Sequence, residues 1–404
     1  MATYIIQPEN PAPLPPVPEN ALATERPRLK HLEKITTARR EDPAFGKLLE
    51  WLGTNEVSLR GSRAGTLVTA TAVVELTPEQ LERLQSEVGG LRVVPDQGVR
   101  IFRPQVGRRQ DDVKEEDLWH LDEIGLLAAR RNGFTGTGAG VEVAVLDTGA
   151  DPAHPELAGK IAEHHVFDPA TGSIVKARDG EDTDGHGTLV AGLLCGGKVG
   201  VAPGARVVSV AMLPRGQGGL ANFSAALNWA ATRGGLRILN ISAGLPGLVP
   251  VLRNQLQALH DVGILPVVAT GDGGIHRLTY SPGNLRKALS VGASARDEDG
   301  PWIPAFSSGG SLKDEDGTPY VIPDLVAPGQ VVVSARQRGG YAFFNGTSLS
   351  APIVAGVAAL IIEKNSGIAV DSLVQALLDS CASLPQPLPE REGAGVVSIK
   401  PVFP

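Results

Sequence analysis

Three residues in separate parts of the sequence have side chains suited to nucleophilic chemistry. Asp147 ends the apolar run of VAVLDTGAD, His186 lies between two glycines in DTDGHGTLVAG, and Ser348 precedes an apolar stretch in FNGTSLSAPIVAGVAALI. A serine attacks a carbonyl carbon only when a base takes its proton and an acid holds that base in the right tautomer. If the fold gathers these three side chains, they predict acyl transfer through Ser348.

Each of the three residues has a more ordinary interpretation when it is taken alone. An aspartate at a strand end usually belongs to a turn or caps a helix, and a serine before a helix is usually its N-cap. Ser348 at a helix N-terminus would also lie near the positive end of the helix dipole, which favours an attacking oxyanion. The chemical interpretation therefore depends on the three residues occurring together.

Together the three segments resemble the aspartate, histidine and serine signatures of the subtilase family, in the chain order of that family. The resemblance extends over about residues 119–403 and includes NISAG, the FSS segment at Phe306, VAPG at Val326 and GAGVVS near the end. It implies that Ser348 is the nucleophile, that His186 is the general base and then the acid, and that Asp147 orients the imidazole. The implied function is a serine endopeptidase that hydrolyses polypeptides, and we expect no cofactor.

The same resemblance implies where a polypeptide substrate binds. The substrate is expected as an added strand between residues 214–219, which include Gly216 and Gly218, and residues 242–244. Tyr280 is expected near the floor of the first specificity pocket, where an aromatic ring predicts a shallow pocket that prefers small residues. The other residues expected to line the site are Ser242, Ala243, Gly244, Ala269, Thr270 and Gly271.

One departure from the family pattern concerns the oxyanion hole. The family normally has an asparagine after its fourth apolar strand, but VVATGDGG has Asp272 at that point. The backbone N–H of Ser348 is the other expected donor. Because an ionised carboxylate only accepts hydrogen bonds, Asp272 predicts slow, selective or acid-favoured cleavage.

A second departure lies after the histidine segment. Many secreted subtilisins have an asparagine-containing calcium loop there, but GLLCGGKVGVAPG runs almost directly into the next segment. The nearby acidic residues are interpreted as solvated charges, and no metal site is predicted. These acidic residues are Asp179, Glu181, Asp182 and Asp184.

The elements that must position these residues alternate along the second part of the chain. Continuous apolar runs at 141–146, 207–212, 238–241 and 264–269 predict strands that are buried on both faces of a sheet. Helical patterns at 187–194, 221–232 and 251–262 predict crossover helices between them. The fold class is therefore α/β, with a three-layer subtilisin-like fold and a mostly parallel central sheet.

Residues 1–104 predict a small α+β unit. Helical patterning at 29–52 is broken near Pro43, strand-like runs occur at 4–7 and 66–76, and Thr77 with Gln80 forms a capping box. Strands at 91–94 and 99–102 are predicted around a turn at 95–98, and the proline-rich stretch 11–18 is predicted to be extended and solvated. The segment TATAVVELTPEQLERL, which precedes the catalytic motifs, resembles the inhibitory prodomains of subtilases. An unrelated accessory domain is the alternative.

Residues 105–117 are polar and predict an exposed linker that contains the self-processing site, between about residues 104 and 119. Residues 118–404 then form the catalytic domain. The first hypothesis is an endopeptidase that matures by intramolecular cleavage of a prodomain, which acts as its own inhibitor. The alternatives are a pseudoprotease that serves as a peptide-binding scaffold and a transpeptidase or cyclase in which an amine resolves the acyl-enzyme.

The composition limits the partners. Hydrophobic residues make up 42% and charged residues 20%, as in soluble globular proteins. A net charge of -7 without a long basic run argues against nucleic acid, and no membrane partner is predicted. We expect a monomer. The N-terminal segment lacks a basic start followed by an apolar core, so a cytoplasmic location is expected, with export by another route left open.

Overall fold

The N-terminal unit contains a four-stranded antiparallel sheet in the order β2-β3-β1-β4, packed against helices. The structure, a computed structural model, describes residues 1–12, 14, 25–274 and 278–403, so most of the stretch 11–18 lies outside the described residues. Thr77 and Gln80 form the predicted capping box at the start of α4. The elements are β1 Ala2–Pro8, α1 Glu25–Glu41, α2 Pro43–Thr54, β2 Leu59–Arg60, α3 Arg63–Thr69, β3 Ala72–Leu76, α4 Pro78–Glu87 and β4 Leu91–Pro95.

Three local predictions for this part of the chain are wrong in whole or in part. Residues 66–69 are helical because Ser62 caps α3, accepting a hydrogen bond from the Gly65 amide at 3.1 Å. Residues 95–98 do not join a hairpin, because β5 (Gly98–Ile101) leaves the sheet and pairs with two strands beyond it. Residues 105–110 are largely exposed, as predicted, but they are not a free connector, because they form β6 (Gln105–Gln110) and pair with a strand late in the chain.

The remaining strands belong to the catalytic unit and its surface hairpins. They are β7 Glu142–Asp147, β8 Ile161–Asp168, β9 Ser173–Ala177, β10 Arg206–Ala211, β11 Gln217–Gly219, β12 Leu236–Ile241, β13 Ala243–Pro246, β14 Leu265–Ala269, β15 Tyr280–Ser281, β16 Leu289–Asp297, β17 Gly300–Trp302, β18 Gly310–Lys313, β19 Pro319–Ile322, β20 Leu325–Pro328, β21 Val332–Ala335 and β22 Tyr341–Asn345. The helices are α5 Trp119–Glu123, α6 Leu126–Arg131, α7 His186–Cys195, α8 Leu220–Ala231, α9 Arg253–Asp261, α10 Thr347–Lys364, α11 Val370–Asp379 and α12 Pro389–Glu392.

The central sheet has the order β17-β16-β14-β12-β7-β10-β8-β9, with β20 also paired to β16. Its inner pairs are parallel, and antiparallel pairing occurs only at β16/β17 and β8/β9. This confirms the predicted mostly parallel sheet and places β7, which ends in Asp147, at its centre. The carboxyl ends of such strands are where open α/β sheets bind ligands.

Two apolar layers cover the sheet, as the three-layer prediction requires. Along β7, Val143 and Val145 pack with α7 and α10 on one face, whereas Ala144 and Leu146 pack with α8 and α9 on the other. Helix α10 has the length and hydropathy of a membrane span, but 89% of it is buried within the protein. It is therefore the central core helix of its layer.

Candidate active site

The fold brings Asp147, His186 and Ser348 together at one edge of the sheet. Asp147 is the last residue of β7, His186 is the first residue of α7, and Ser348 is the second residue of α10. All three side chains are buried. The two helices that start at this edge therefore present the base and the hydroxyl at their N-termini, next to the carboxylate.

The imidazole of His186 is held by Asp147. Its Nδ1 lies 2.8 Å and 2.9 Å from the two carboxylate oxygens of Asp147. Burial lowers the pKa of His186, but the carboxylates of Asp147, Asp182 and Asp184 outweigh that effect, so the pKa is raised above its usual 6.5. A protonated imidazole has a donor at both nitrogens, so Nε2 can donate to a neighbouring carbonyl.

The neighbouring carbonyl comes from the chain itself. Ser348 Oγ donates to the carbonyl oxygen of Phe102 at 2.7 Å, and His186 Nε2 lies 3.1 Å from the same oxygen. Phe102 directly follows strand β5 and precedes Arg103. The peptide bond between Phe102 and Arg103 is thus the one that lies at the nucleophile, just before the predicted window of 104–119.

Strand β5 occupies the groove that was predicted for substrate. It pairs antiparallel with β11, where Gly218 faces Val99, and with β13, where Ala243 faces Ile101. Ser242 extends this ladder by accepting a hydrogen bond from the Phe102 amide at 3.1 Å. Gly216 is required there, because a Cβ would lie 2.9 Å from the Ile101 side chain and its φ is +75°.

The ring of Phe102 lies among the residues predicted to line the first specificity pocket, and a preference of that pocket for small residues stays a prediction. The ring of Tyr280 meets that of Phe102 edge to face, with centroids 5.1 Å apart. The ring of Tyr280 lies beside that of Phe102 and close to Gly271, where a Cβ would come within 2.3 Å of it. Gly244 leaves the room for an aromatic ring, since its Cβ would lie 2.9 Å from Phe102.

The other predicted pocket residues lie at and after the end of β14. Ala269 ends β14, and Thr270 is fully buried with its hydroxyl 3.3 Å from the Val291 carbonyl. The Gly271 amide donates to Thr347 Oγ1 at 3.1 Å, which ties the pocket to the start of α10. The pocket and the nucleophile helix are therefore joined through one hydroxyl.

Asp272 lies beside the nucleophile but contacts a different group from the one expected. Its Oδ1 accepts hydrogen bonds from the backbone N–H of Thr347 at 2.8 Å and from its hydroxyl at 2.9 Å. Burial raises the pKa of Asp272, although these hydrogen bonds and the charge of His186 oppose the shift. The carboxyl group thus caps the start of α10, and its second oxygen remains for a proton.

Sequence reasoning missed the role of Asp182, because acidic residues near a loop were taken as solvated charges. Asp182 is buried and accepts hydrogen bonds from the Gly185 and Thr188 amides, both at 2.8 Å, and from the Thr148 hydroxyl at 2.7 Å. An acid directly before a helix is the signal that could have identified it as a cap of α7. Within the residues that the structure describes, no three His, Cys, Asp or Glu side chains come together as a metal site.

Three kinds of comparison identify the family and the fold. A profile of the subtilase family matches residues 138–395. M-protease of Shouchella clausii is 32% identical over 298 residues, covering 72% of this chain and 69% of the relative. The crystal structure of fervidolysin from Fervidobacterium pennivorans superposes with a TM-score of 0.72 at 19% identity, covering all of this chain and 60% of that one. At that identity the structural likeness shows the fold alone.

The relatives correct the expected cytoplasmic location. A protein of Thermus sp. that is named extracellular serine proteinase is 29% identical over 333 residues, covering 80% of this chain and 74% of the relative. An alkaline serine exoprotease A of Vibrio alginolyticus is 32% identical over 316 residues. These relatives point to export and away from the cytoplasm.

Proposed function

This chain belongs to the subtilase family and is a subtilisin-like serine protease, and we propose that it matures by cutting its own Phe102–Arg103 bond. The observation that carries the proposal is the 2.7 Å contact between Ser348 Oγ and the Phe102 carbonyl, with His186 Nε2 on the same oxygen. The proposed bond lies upstream of the predicted window of 104–119, because Ser348 Oγ contacts the Phe102 carbonyl and residues 105–110 pair with β22 as strand β6.

In the proposed reaction, His186 is first neutral and takes the Ser348 proton. Ser348 Oγ forms a bond to the Phe102 carbonyl carbon, and the carbonyl oxygen becomes an oxyanion. His186 then gives the proton to the Arg103 nitrogen as the C–N bond breaks, which leaves an ester between Ser348 and Phe102. Water resolves this ester with the same base, so one product ends in the Phe102 carboxylate and the other begins with the Arg103 amine.

Asp272 has a part in this reaction only when it is protonated. Its Oδ1 is occupied by the two donors of Thr347, so a proton on Oδ2 supplies the donor that the oxyanion needs. The Ser348 amide at the start of α10 is the second proposed donor, aided by the helix dipole. Burial of Asp272 favours the protonated form. The roles of Asp147, His186 and Ser348 as the triad belong to the same proposal.

We further propose that residues 1–102 of the predicted prodomain act as an inhibitor that stays bound after the cut. Their apolar residues Ile5, Ile35 and Val68 share one core with α8 and α9 of the catalytic unit. Arg28 is buried and donates to the Gly234 and Leu236 carbonyls at 2.6 Å and 2.5 Å. None of these contacts depends on the Phe102–Arg103 bond being intact. Cleavage therefore leaves them in place, and β5 still blocks the groove.

The test is cell-free synthesis of the full chain, followed over time by intact mass spectrometry. We expect two products that meet at Phe102 and Arg103, whose summed mass exceeds that of the precursor by one water. Ser348→Ala should remain full length. Cleavage of the alanine variant at the same bond would remove Ser348 from its proposed role, and products without the added water would favour ligation over hydrolysis.

A further inference from the structure

Arg103, the first residue after the proposed cut, has its side chain held by the catalytic unit. Its Nη1 and Nη2 lie 3.1 Å and 2.7 Å from Oδ1 and Oδ2 of Asp184, which is the paired geometry of a guanidinium on a carboxylate. Nη2 also donates to the Arg215 carbonyl at 3.1 Å. The guanidinium is therefore recognised by three oxygens and not by charge alone.

Asp184 is held from the side of the catalytic unit as well as by Arg103. Its backbone N–H donates to Asp182 Oδ1 at 3.1 Å, and Asp182 is buried and tied to the first turn of α7. His186 follows Asp184 by two residues, so the base and the Asp184 carboxylate belong to one rigid loop. The side chain of Asp184 is only 14% exposed, whereas that of Arg103 is 58% exposed. Asp184 is thus a fixed part of the binding site, whereas the Arg103 side chain can leave it after cleavage.

The charged residues around Asp184 bear on which substrate side chain can bind there. A cavity of about 540 Å³ adjoins Arg103 and His186, and its charged walls include Arg109, Arg336 and Arg338. Among the described residues that line this cavity, Asp184 carries the one carboxylate. Asp184 is therefore the group in this cavity lining that can pair with a cationic substrate side chain, whereas the arginines around it repel one.

We propose that Asp184 selects arginine as the residue that follows the cut bond, both in self-processing and in other polypeptides. The proposal rests on the proposed cleavage between Phe102 and Arg103. Combined with the pocket around Phe102, it names the substrate class as polypeptides with an aromatic residue followed by arginine. Asp184 is a specificity residue here, since the triad can act without it.

The first experiment measures self-processing in the cell-free system. Arg103→Gln and Asp184→Asn should each slow the cut about three- to tenfold, the range for one paired charge at a partly exposed site. The double variant should be no slower than either single variant, because both remove the same contact. Glu181→Gln changes an exposed acid of the same loop and serves as the matched control.

The second experiment separates recognition of arginine from the effect of Asp184 on His186. The processed chain, once its cleaved N-terminal unit has dissociated from the groove, is given quenched peptides with the sequence GVRIFXPQ, where X is arginine or its uncharged analogue citrulline. The parent enzyme should prefer arginine about three- to tenfold in kcat/KM, and Asp184→Asn should lose that preference, since any change in the base cancels in the ratio.

The outcomes distinguish the two proposals. If the parent chain is never cut at Phe102–Arg103, the proposed function fails. If it is cut there, but Arg103→Gln leaves the rate unchanged and citrulline equals arginine, Asp184 selects nothing and only this inference is overturned. A preference that persists in Asp184→Asn would also overturn it.

Discussion

The two sides of the Phe102–Arg103 bond are held by different kinds of contact. Before the bond, β5 is paired with strands on both of its edges, and Val99, Ile101 and Phe102 are 1%, 5% and 8% exposed. After the bond, the Arg103 side chain makes an ion pair with Asp184 and a hydrogen bond to the Arg215 carbonyl, and it is mostly in water. Buried apolar area and a complete backbone ladder supply affinity, whereas an exposed pair adds little energy but discriminates by charge.

This difference predicts which end leaves after cleavage. The Phe102 carboxylate stays with β5 in the groove, while the new Arg103 amine is free to move away from Ser348. Only Arg103 and Pro104 separate the bond from β6, so the movement is confined to a short segment. The arrangement suits an enzyme that is released slowly from its own inhibitor after the cut.

The largest expected effect comes from a substitution at Phe102, on the side before the cut bond. Phe102→Asp would place a carboxylate in the apolar pocket beside Tyr280, and burying an unpaired charge costs several kcal/mol, or about 10³-fold in processing rate. The half-life of the precursor measures it. Phe102→Leu keeps the pocket apolar and should process within about tenfold of the parent. An aspartate variant that is cut as fast as the leucine variant would show that this pocket does not hold the residue before the cut.

The next effect tests whether chemistry, and not binding, limits the cut. Asp272→Asn keeps an oxygen for the Thr347 donors and adds an N–H for the oxyanion. In subtilisin, a member of this family, loss of the corresponding asparagine donor costs about 10² to 10³ in turnover, so we expect up to about 10²-fold faster processing near neutral pH. A variant that is slower at every pH would assign Asp272 solely to the capping of α10.

The pH dependence of processing tests whether Asp272 acts as a proton donor. His186 must be neutral to act as base, and its raised pKa keeps it protonated above the usual 6.5, so the rate of Asp272→Asn should rise about tenfold per pH unit below that pKa and then level off. The parent should instead decline as the pH rises through the pKa of Asp272, which burial raises, because Asp272 then loses the proton that it donates. Identical profiles for the two proteins would exclude a protonated Asp272.

The smallest effect concerns release of the cleaved N-terminal unit. Arg28→Ala removes two buried charge-assisted hydrogen bonds, so the unit should dissociate about tenfold faster, as measured by the recovery of peptidase activity after processing. Lys30→Ala, an exposed change on the same helix, is the control. Equal recovery rates in both variants would mean that β5 alone, and not the shared interface, keeps the groove closed.

Part of the fold could be predicted because its signals are local. The apolar runs that became β7, β10, β12 and β14 are long enough to demand burial on both faces, which dictates a parallel sheet with helices on each side. The capping box at Thr77 and the signatures around Asp147, His186 and Ser348 depend on neighbouring residues in the chain. Such signals need no knowledge of distant partners.

Other features were decided only by the tertiary structure. The alternation in residues 98–101 fits a hairpin with β4 as well as a strand added between β11 and β13, and only the unpaired edges of those two strands determine the outcome. Tyr280 could be assigned to the pocket from the sequence, but whether its ring fills the pocket or walls it depends on the space above Gly271. The pairing of Arg103 with Asp184 joins residues 81 positions apart, so it exists only once β5 has entered the groove.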